Sequence, residues 1–373
     1  MIIGCVKEIK SHEYRVGVTP DNVGEYVRHG HTFLVETGAG TGAGFSDGQY
    51  KIQGAKILDN KEAVWSGSDM IIKVKEPLPE EYPLMREGQI LYTYLHLAAN
   101  RKLTDALLES KTIGVAYETI EKNHGLPCLK PMSEIAGRLS IQEGAKYLEK
   151  PFGGRGVLLG GVPGTRQGKV VILGAGIVGM NALKVAVGMG ANVTIMDIDL
   201  DKLTFLDDLY GNMIQTLYST PDNISGELAA ADLVIGAILI PGDATPKLVS
   251  KNHLKTMKPG AVMVDVAIDQ GGCFETSVVT YHEKPVYLVD GILHYCVGNM
   301  PGAVPVTSTL ALTNTTLKYG LALADKGLAG AIAKYPELSS GVNTYFGSCT
   351  NSKVASCFGF TVHSVEELSS SCS

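Results

Sequence analysis

The sequence predicts an α/β protein made of two doubly wound parallel-sheet domains, and three features carry that prediction. Short runs of β-branched and apolar residues alternate with helix-length stretches, the order that lays helices on the faces of a parallel sheet. The 44 glycines fall largely between those runs, where the chain must turn. At 373 residues the chain is also too long for one ordinary hydrophobic core.

In the first third, strands are expected at residues 2–6, 32–36, 70–74, 91–95 and 112–117, all rich in residues that suit a pleat. One helix between them is well marked. Thr19 can cap it, Pro20 fits its first turn, and Gly30 supplies a left-handed stop after His29. A long helical pattern follows Pro131 and Met132, with Ser133 as its cap and Ile135, Leu139, Ile141, Ala145 and Leu148 at roughly helical spacing. The glycine-rich segment 153–168 leads into residues 169–173, an apolar run of the kind buried on both faces of a parallel sheet. Further strands are expected at 192–196, 233–237, 261–266 and 286–289. Residues 308–326 read as a helix stopped by Gly327, which would return the chain to the first domain. The expected division is a first domain over 1–130, completed by 306–373, and a second over 131–305.

Composition excludes several classes of function. Net charge is −6, pI about 5.9, and no run of Lys and Arg is interleaved with aromatics, so nucleic acid is not an expected partner. The most apolar internal stretch, 233–240, is of strand length and ends at Pro241-Gly242, far short of the roughly 20 residues that span a bilayer. No membrane is expected. Cys5, Cys128, Cys273, Cys296, Cys349, Cys357 and Cys372 are scattered without zinc or redox spacing, and the start MIIGCVKEIK lacks the features of a secretory signal. A reducing, cytoplasmic setting without a bound metal is expected.

Gly174-Ala-Gly176-Ile-Val-Gly179 directly follows the strand at 169–173 and opens a helical run through Met180, Leu183 and Val187. Gly174 permits the tight turn, Gly176 lets backbone approach a pyrophosphate, and Gly179 lets helix and strand pack closely, while the helix N-terminus offers unpaired amides to the anion. Asp197, at the end of the next strand, stands where a ribose diol is held. Its charge would repel a 2′-phosphate, which favours NAD over NADP, although Asp199 and Asp201 lie nearby. Strand before, helix after and acid at the next strand end predict a Rossmann dinucleotide-binding domain; a bare glycine turn without ligand satisfies only one of the three.

Six blocks, KEIKSHEYRVGVTP, VKEPLPEEYPL, LYTYLHLA, PMSEIAGR, VDVAIDQGG and HYCVGNMPGAVPVTSTLALTN, occur in this order, and with them the chain resembles the alanine dehydrogenase family over nearly its whole length. The resemblance implies NAD-dependent interconversion of L-alanine with pyruvate and ammonium, by a homo-oligomer that is usually a hexamer. Such chemistry needs a cation for the substrate carboxylate, a donor at C2, an acid-base group working near neutrality and a hydride carrier. Arg15 lies in a polar loop where it could be a solvated surface cation, but the resemblance makes it the substrate-binding arginine, whose fork suits a carboxylate. Lys75 closes the strand that begins at Met70 and shares a face with Lys73; an exposed edge pair is the plain alternative, and the resemblance singles out Lys75 as a substrate contact. His96 projects with Tyr92 and Tyr94, opposite Leu91 and Leu95. It could be a satisfied core histidine, yet the resemblance makes it an acid-base residue, a role that suits an imidazole with its ordinary pKa of about 6.5. Asp269, before Gly271-Gly272, is either a turn aspartate or, by resemblance, the acid beside the nicotinamide. These four residues would orient pyruvate and move protons through a carbinolamine and an iminium.

For the cofactor the resemblance adds Ser133 near the pyrophosphate, Ile177 and Val178 in the glycine turn, Lys202 and Ser219 near the adenosine, and Asn299 and Met300 near the nicotinamide. Read as residues alone, Ser133 is a cap, Lys202 a solvated cation, Ser219 a turn hydroxyl and Met300 a core side chain. Two stretches depart from the family pattern: GCVKE lacks a proline before its lysine, and GSCTNSKVA stands where a glycine-histidine-valine-threonine stretch is usual. Rival readings are the NAD-binding subunit of a proton-translocating transhydrogenase, a dehydrogenase for a larger amino acid, and a silent NAD-binding sensor. Retention of Lys75 and His96 argues against the first, and retention of all four ionisable groups against the last.

Overall fold

Each apolar run read from the sequence forms a strand, generally a shorter one than the run itself. The structure, a computed structural model, describes residues 1–238, 245–365 and 367. Pro241-Gly242 and the serine-rich end 369–373 with Cys372 lie outside the described residues. The chain divides into two compact units, residues 1–132 with 302–373, and residues 133–301.

In chain order the strands are β1 (Ile2–Cys5), β2 (Thr32–Glu36), β3 (Lys56–Leu58), β4 (Met70–Ile72), β5 (Ile90–Thr93), β6 (Ile113–Ala116), β7 (Lys169–Leu173) and β8 (Asn192–Asp197). They continue as β9 (Ile214–Tyr218), β10 (Leu233–Gly236), β11 (Val262–Asp265), β12 (Val286–Val289), β13 (Ile292–Tyr295), β14 (Val342–Tyr345) and β15 (Ser348–Cys349).

The first unit holds a sheet in the order β15-β14-β6-β5-β4-β1-β2-β3. From β6 to β3 every neighbouring pair is parallel, whereas β14 joins β6 and β15 antiparallel. The order reverses between β1 and β4, which is where such sheets open a crevice at their carboxyl ends. The helix Pro20–Arg28 starts as expected, with the Thr19 side chain accepting from the Asn22 amide. Ile71, Leu91 and Leu95 meet Val64, Trp65, Leu103 and Leu107 in one buried cluster, each such aliphatic side chain contributing about 1.5–3 kcal/mol by leaving water. The late helical segment Pro305–Lys334 begins earlier than expected and resumes after Gly327, whose φ of 66° and ψ of 179° break it. It packs tightly here: a Cβ on Gly320 would fall 2.0 Å from the Tyr26 hydroxyl.

The second unit holds a sheet in the order β12-β13-β11-β10-β7-β8-β9, parallel except for the β12–β13 hairpin, with its reversal between β7 and β10. Val171, Leu173, Met196, Val234 and Met263 pack with Ile224, Leu228 and Phe274 in its core. Both sheets are thus doubly wound and mainly parallel, but each ends in an antiparallel hairpin that the expected purely parallel pattern omits. The reason is local. Asp290-Gly291 and Phe346-Gly347 both have positive φ at two successive residues (49° and 82°; 45° and 86°), the backbone twist that suits a two-residue hairpin turn. Among the described residues no helix is long and apolar enough to cross a membrane, and no group of three or more His, Cys, Asp or Glu could hold a metal ion.

Candidate functional site

In the first unit the proposed substrate residues gather at the carboxyl ends of β1, β4 and β5. Arg15 follows β1. It is buried, not the solvated cation that a polar loop suggests, because Glu13, two residues away, takes it in a bidentate pair: Nε to Oε1 at 2.6 Å and Nη2 to Oε2 at 2.5 Å. Its Nη1 lies 3.1 Å from Met132 Sδ. Burial opposes the Arg15 charge, but Glu13 more than offsets this and the guanidinium is held above its ordinary pKa.

Lys75 lies beyond β4, which ends at Ile72 rather than running on to Lys75. Lys73 and Lys75 are not an exposed edge pair, since β4 is central in the sheet and Lys73 is fully buried. The Lys73 ammonium bonds Glu81 at 2.9 Å and Glu8 at 3.3 Å. These carboxylates, acting against burial, hold it above the usual lysine range. Lys75 differs. Its backbone is held from both sides, yet among the described residues no acceptor reaches its Nζ. Burial first, then the nearby Arg15 charge, push its pKa below the usual lysine range.

His96 does not continue the alternation of β5, which ends at Thr93. The chain turns there, His96 takes a left-handed conformation (φ 49°, ψ 37°), and its side chain is exposed, not a core histidine. Glu118, just past β6, enforces that turn: its carboxylate accepts from the amides of Leu95 at 3.0 Å and His96 at 2.6 Å. The imidazole stacks on Tyr94, with centroids 5.9 Å apart and 19° between planes, and Tyr94 packs edge-on against Tyr117. Sequence reasoning does not single out Glu8, Glu13, Lys73, Glu81 or Glu118. A signal for most of them is present in KEIKSHEYRVGVTP and VKEPLPEEYPL, where acids crowd the two proposed cations.

In the second unit the glycine turn sits at the reversal between β7 and β10. Gly174 has φ 105°, and a Cβ there would meet Ala237 O at 2.8 Å. A Cβ on Gly179 would fall 1.8 Å from Gly174 O, whereas one on Gly176 meets nothing within 4 Å. The helix Ile177–Gly188 starts at Gly176 with no side-chain cap, which leaves the first amides of a helix to be met by other partners, the condition for holding an anion. Asp197 ends β8. Its carboxylate accepts from Ala175 N at 2.6 Å and Asp199 N at 2.9 Å, which ties the strand end to the glycine turn. Ser219 donates its amide to Asp197 O at 3.1 Å, and Lys202 pairs with Asp199 at 3.1 Å, so the three proposed adenosine-side residues collect at one strand end. These features fit a dinucleotide.

Ser133 is not a cap. The helix Lys130–Tyr147 starts three residues earlier and places Ser133 in its first turns; further along it, a Cβ on Gly137 would fall 2.2 Å from Val178 O, so this helix lies hard against the start of the glycine-turn helix. Asp269 is exposed, in the short turn Ile268–Gln270 after β11, and its Oδ1 would stand 3.0 Å from a Cβ on Gly298. That brings it beside Asn299 and Met300. Asn299 is left-handed (φ 60°) and Met300 is buried, as a core side chain would be. The acid that organises this loop is Asp265: it accepts from the amides of Ala267 (3.1 Å) and Cys273 (2.9 Å) and from the Ser277 hydroxyl (2.5 Å). Sequence reasoning does not single it out, because it falls inside the strand expected at 261–266, whereas in the structure it ends β11.

Comparisons with known proteins bear on the family and the fold. The family description "Alanine dehydrogenase/PNT, N-terminal domain" matches residues 4–136 and "Alanine dehydrogenase/PNT, C-terminal domain" matches 140–352. The chain is 53% identical to "Alanine dehydrogenase 2" of Staphylococcus aureus (strain USA300), over 98% of this chain and 99% of that protein. It is 52% identical to "Alanine dehydrogenase" of Bacillus subtilis (strain 168), over 96% and 95%. A solved "L-alanine dehydrogenase" superposes with a TM-score of 0.94 at 50% identity, covering 96% of this chain and 99% of that one. A transhydrogenase from Sinorhizobium meliloti shares the fold, with a TM-score of 0.80 at 22% identity over 94% of this chain and 99% of that one. With two family models together spanning most of its length and relatives above 50% identity end to end, the chain belongs to the alanine dehydrogenase/PNT family.

Proposed function

We propose that this chain is an NAD-dependent amino-acid dehydrogenase that converts L-alanine and water to pyruvate and ammonium, and runs the reverse reductive amination. The observation that carries this reading is the pair of cations past β1 and β4: one locked by a bidentate carboxylate, the other with a fixed backbone and an ammonium that no described acceptor reaches. Such a pair suits a small 2-oxo acid, whose carboxylate is drawn to the Arg15 guanidinium that Glu13 orients while Lys75 donates to the C2 oxygen. His96 and Asp269 move protons to and from the substituent at C2. Ser133, Gly174, Gly176, Ile177, Val178 and Gly179 hold the pyrophosphate, Asp197, Lys202 and Ser219 the adenosine half, and Asn299 and Met300 the nicotinamide half. When bound, the dinucleotide takes or gives the hydride at C2. The Asp197 carboxylate next to the glycine turn disfavours a 2′-phosphate, which supports NAD rather than NADP.

The working form is a homo-oligomer, a hexamer by resemblance, in the cytoplasm; sedimentation of the purified protein tests the stoichiometry. The decisive assay follows NADH at 340 nm with alanine, serine, glutamate or lysine as donor, and its loss with pyruvate and ammonium. Alanine-dependent reduction of NAD is expected. Activity confined to a larger amino acid, or to NADP, overturns the proposal.

A further inference from the structure

The backbone from Lys73 to Lys75 is fully hydrogen-bonded. Lys73 N donates to Tyr92 O at 3.2 Å and the Tyr117 hydroxyl donates to Lys73 O at 3.1 Å. Val74 O accepts from Tyr94 N at 3.3 Å, and Lys75 O from the Thr93 hydroxyl at 3.0 Å. That leaves the amides of Val74 and Lys75, and one atom takes both: Glu8 Oε1, at 2.6 Å and 3.2 Å. Its other oxygen faces Lys73 Nζ, whose second partner Glu81 in turn accepts from Leu78 N at 3.0 Å. Cys5 and Ile72 are register partners on β1 and β4, so Glu8 reaches across from three residues past one strand to the same distance past the next.

From this geometry we infer that Glu8 is a positioning residue for Lys75, fixing the lysine's main chain so that only its side chain remains to be ordered by substrate. The inference rests on the substrate role proposed for Lys75. Without Glu8 one buried and one part-buried amide lose their acceptor and the loop that starts Lys75 on its course is released, and a misplacement on the order of 1 Å at a substrate-binding group costs up to about 100-fold in rate. The same carboxylate also pairs with Lys73, so a structural role through charge is the competing account, and the two accounts predict opposite orders of damage.

The test compares Glu8→Asp and Glu8→Gln in the full-length protein. Aspartate keeps the charge but is one methylene too short to reach the two amides; glutamine keeps an oxygen for the amides but loses the charge. Pyruvate amination kinetics and NADH affinity by fluorescence are measured for each, alone and combined with Lys75→Ala. Positioning predicts a rise of about tenfold or more in KM for pyruvate, or an equal fall in kcat/KM, for Glu8→Asp, with Glu8→Gln within about threefold of the parent and NADH affinity unchanged in both. It also predicts that Glu8→Asp adds nothing once Lys75 is alanine, as expected of residues acting through one another. Aspartate behaving like the parent, glutamine worse than aspartate, or multiplicative losses in the Lys75→Ala background overturn it. Should Glu8→Asp not fold, Glu8→Gln decides: a tenfold rise in KM refutes the inference, and a rise under threefold supports it. If Lys75→Ala alone leaves KM for pyruvate unchanged, the substrate role of Lys75 falls and this inference with it; a sensitive Lys75 with an indifferent Glu8 defeats this inference alone.

Discussion

Alanine at Gly176 and at Gly179 separates binding from folding within one turn of chain. At Gly179 the new Cβ would fall 1.8 Å from Gly174 O, a backbone atom fixed by the end of β7, so the helix Ile177–Gly188 must retreat by about 1.2 Å merely to reach the 3.0 Å below which real Cβ atoms essentially never sit. Overpacking of that kind costs about 2–3 kcal/mol, and in a unit of this size it lowers Tm by roughly 4–12 °C. Gly176 is the opposite case. Its φ of −75° suits any residue and its Cβ would meet nothing within 4 Å. The loss of chain entropy in the unfolded state, about 0.4–1 kcal/mol in favour of alanine, is offset by the poorer cap it makes, so stability changes by less than about 1 kcal/mol. The methyl nevertheless occupies the open space that a pyrophosphate would fill. NADH affinity should fall about 10- to 100-fold, equivalent to about 1.4–2.8 kcal/mol. Thermal unfolding and NADH fluorescence titration of both variants give the two readouts. A Gly176→Ala protein that binds NADH like the parent would falsify the phosphate cradle, and a Gly179→Ala protein with unchanged Tm would refute the packing account.

Arg15→Lys should raise KM for pyruvate about tenfold or more, because an ammonium lacks the planar guanidinium that can face both Glu13 and a second carboxylate; Arg15→Ala removes the bidentate side-chain partner of buried Glu13 and should cost about 3–5 kcal/mol of stability by chemical denaturation. Lys75 has its pKa lowered by burial and by Arg15, so its positive charge disappears as pH rises at values below the ordinary lysine range. KM for pyruvate should therefore climb on the alkaline side, and a Lys75→Arg enzyme that retains the same alkaline limb would rule out this origin. Asp325, paired with His29 and His31, has its carboxyl held below the ordinary aspartate range against the opposing effect of burial. A depressed carboxylate adds stability above its unfolded pKa and loses it as pH falls through the folded value, so Asp325→Asn should flatten the acid limb of a stability-pH curve, and an unaltered limb would exclude the pair as its source. Among the described cysteines only Cys357 is exposed; in a Cys372→Ser background one thiol per chain should titrate with Ellman's reagent before unfolding, and more than one would contradict the burial of the others.

Features set by consecutive residues are legible in the sequence itself. Thr19-Pro20 starts a helix, Gly327 breaks one, and Gly174, Gly176 and Gly179 divide turn, approach and packing among them, because each effect depends on a φ angle or a missing Cβ within a few residues of chain. The Asp290-Gly291 and Phe346-Gly347 hairpins are equally local, yet a search for apolar runs leaves them as loop. The strand β9 is hidden for another reason: as an edge strand with half-exposed residues it carries no continuous apolar run. Strand ends and charge partners are beyond such reasoning. β4 ends at Ile72, and past Lys73 the amides of Val74 and Lys75 turn to Glu8, 66 and 67 positions earlier in the chain; nothing in the run Met70 to Lys75 announces that exchange. Ser133 resembles a cap in the sequence, whereas the helix is already turning three residues before it. The amino-acid order by itself thus determined the two wound sheets and the nucleotide turn, since these follow from periodicity and local backbone geometry, whereas Arg15 and Lys75 stand out only through the resemblance carried by their sequence blocks. Only the tertiary structure decided which of those charges are buried, locked or left open, since that depends on carboxylates arriving from other strands.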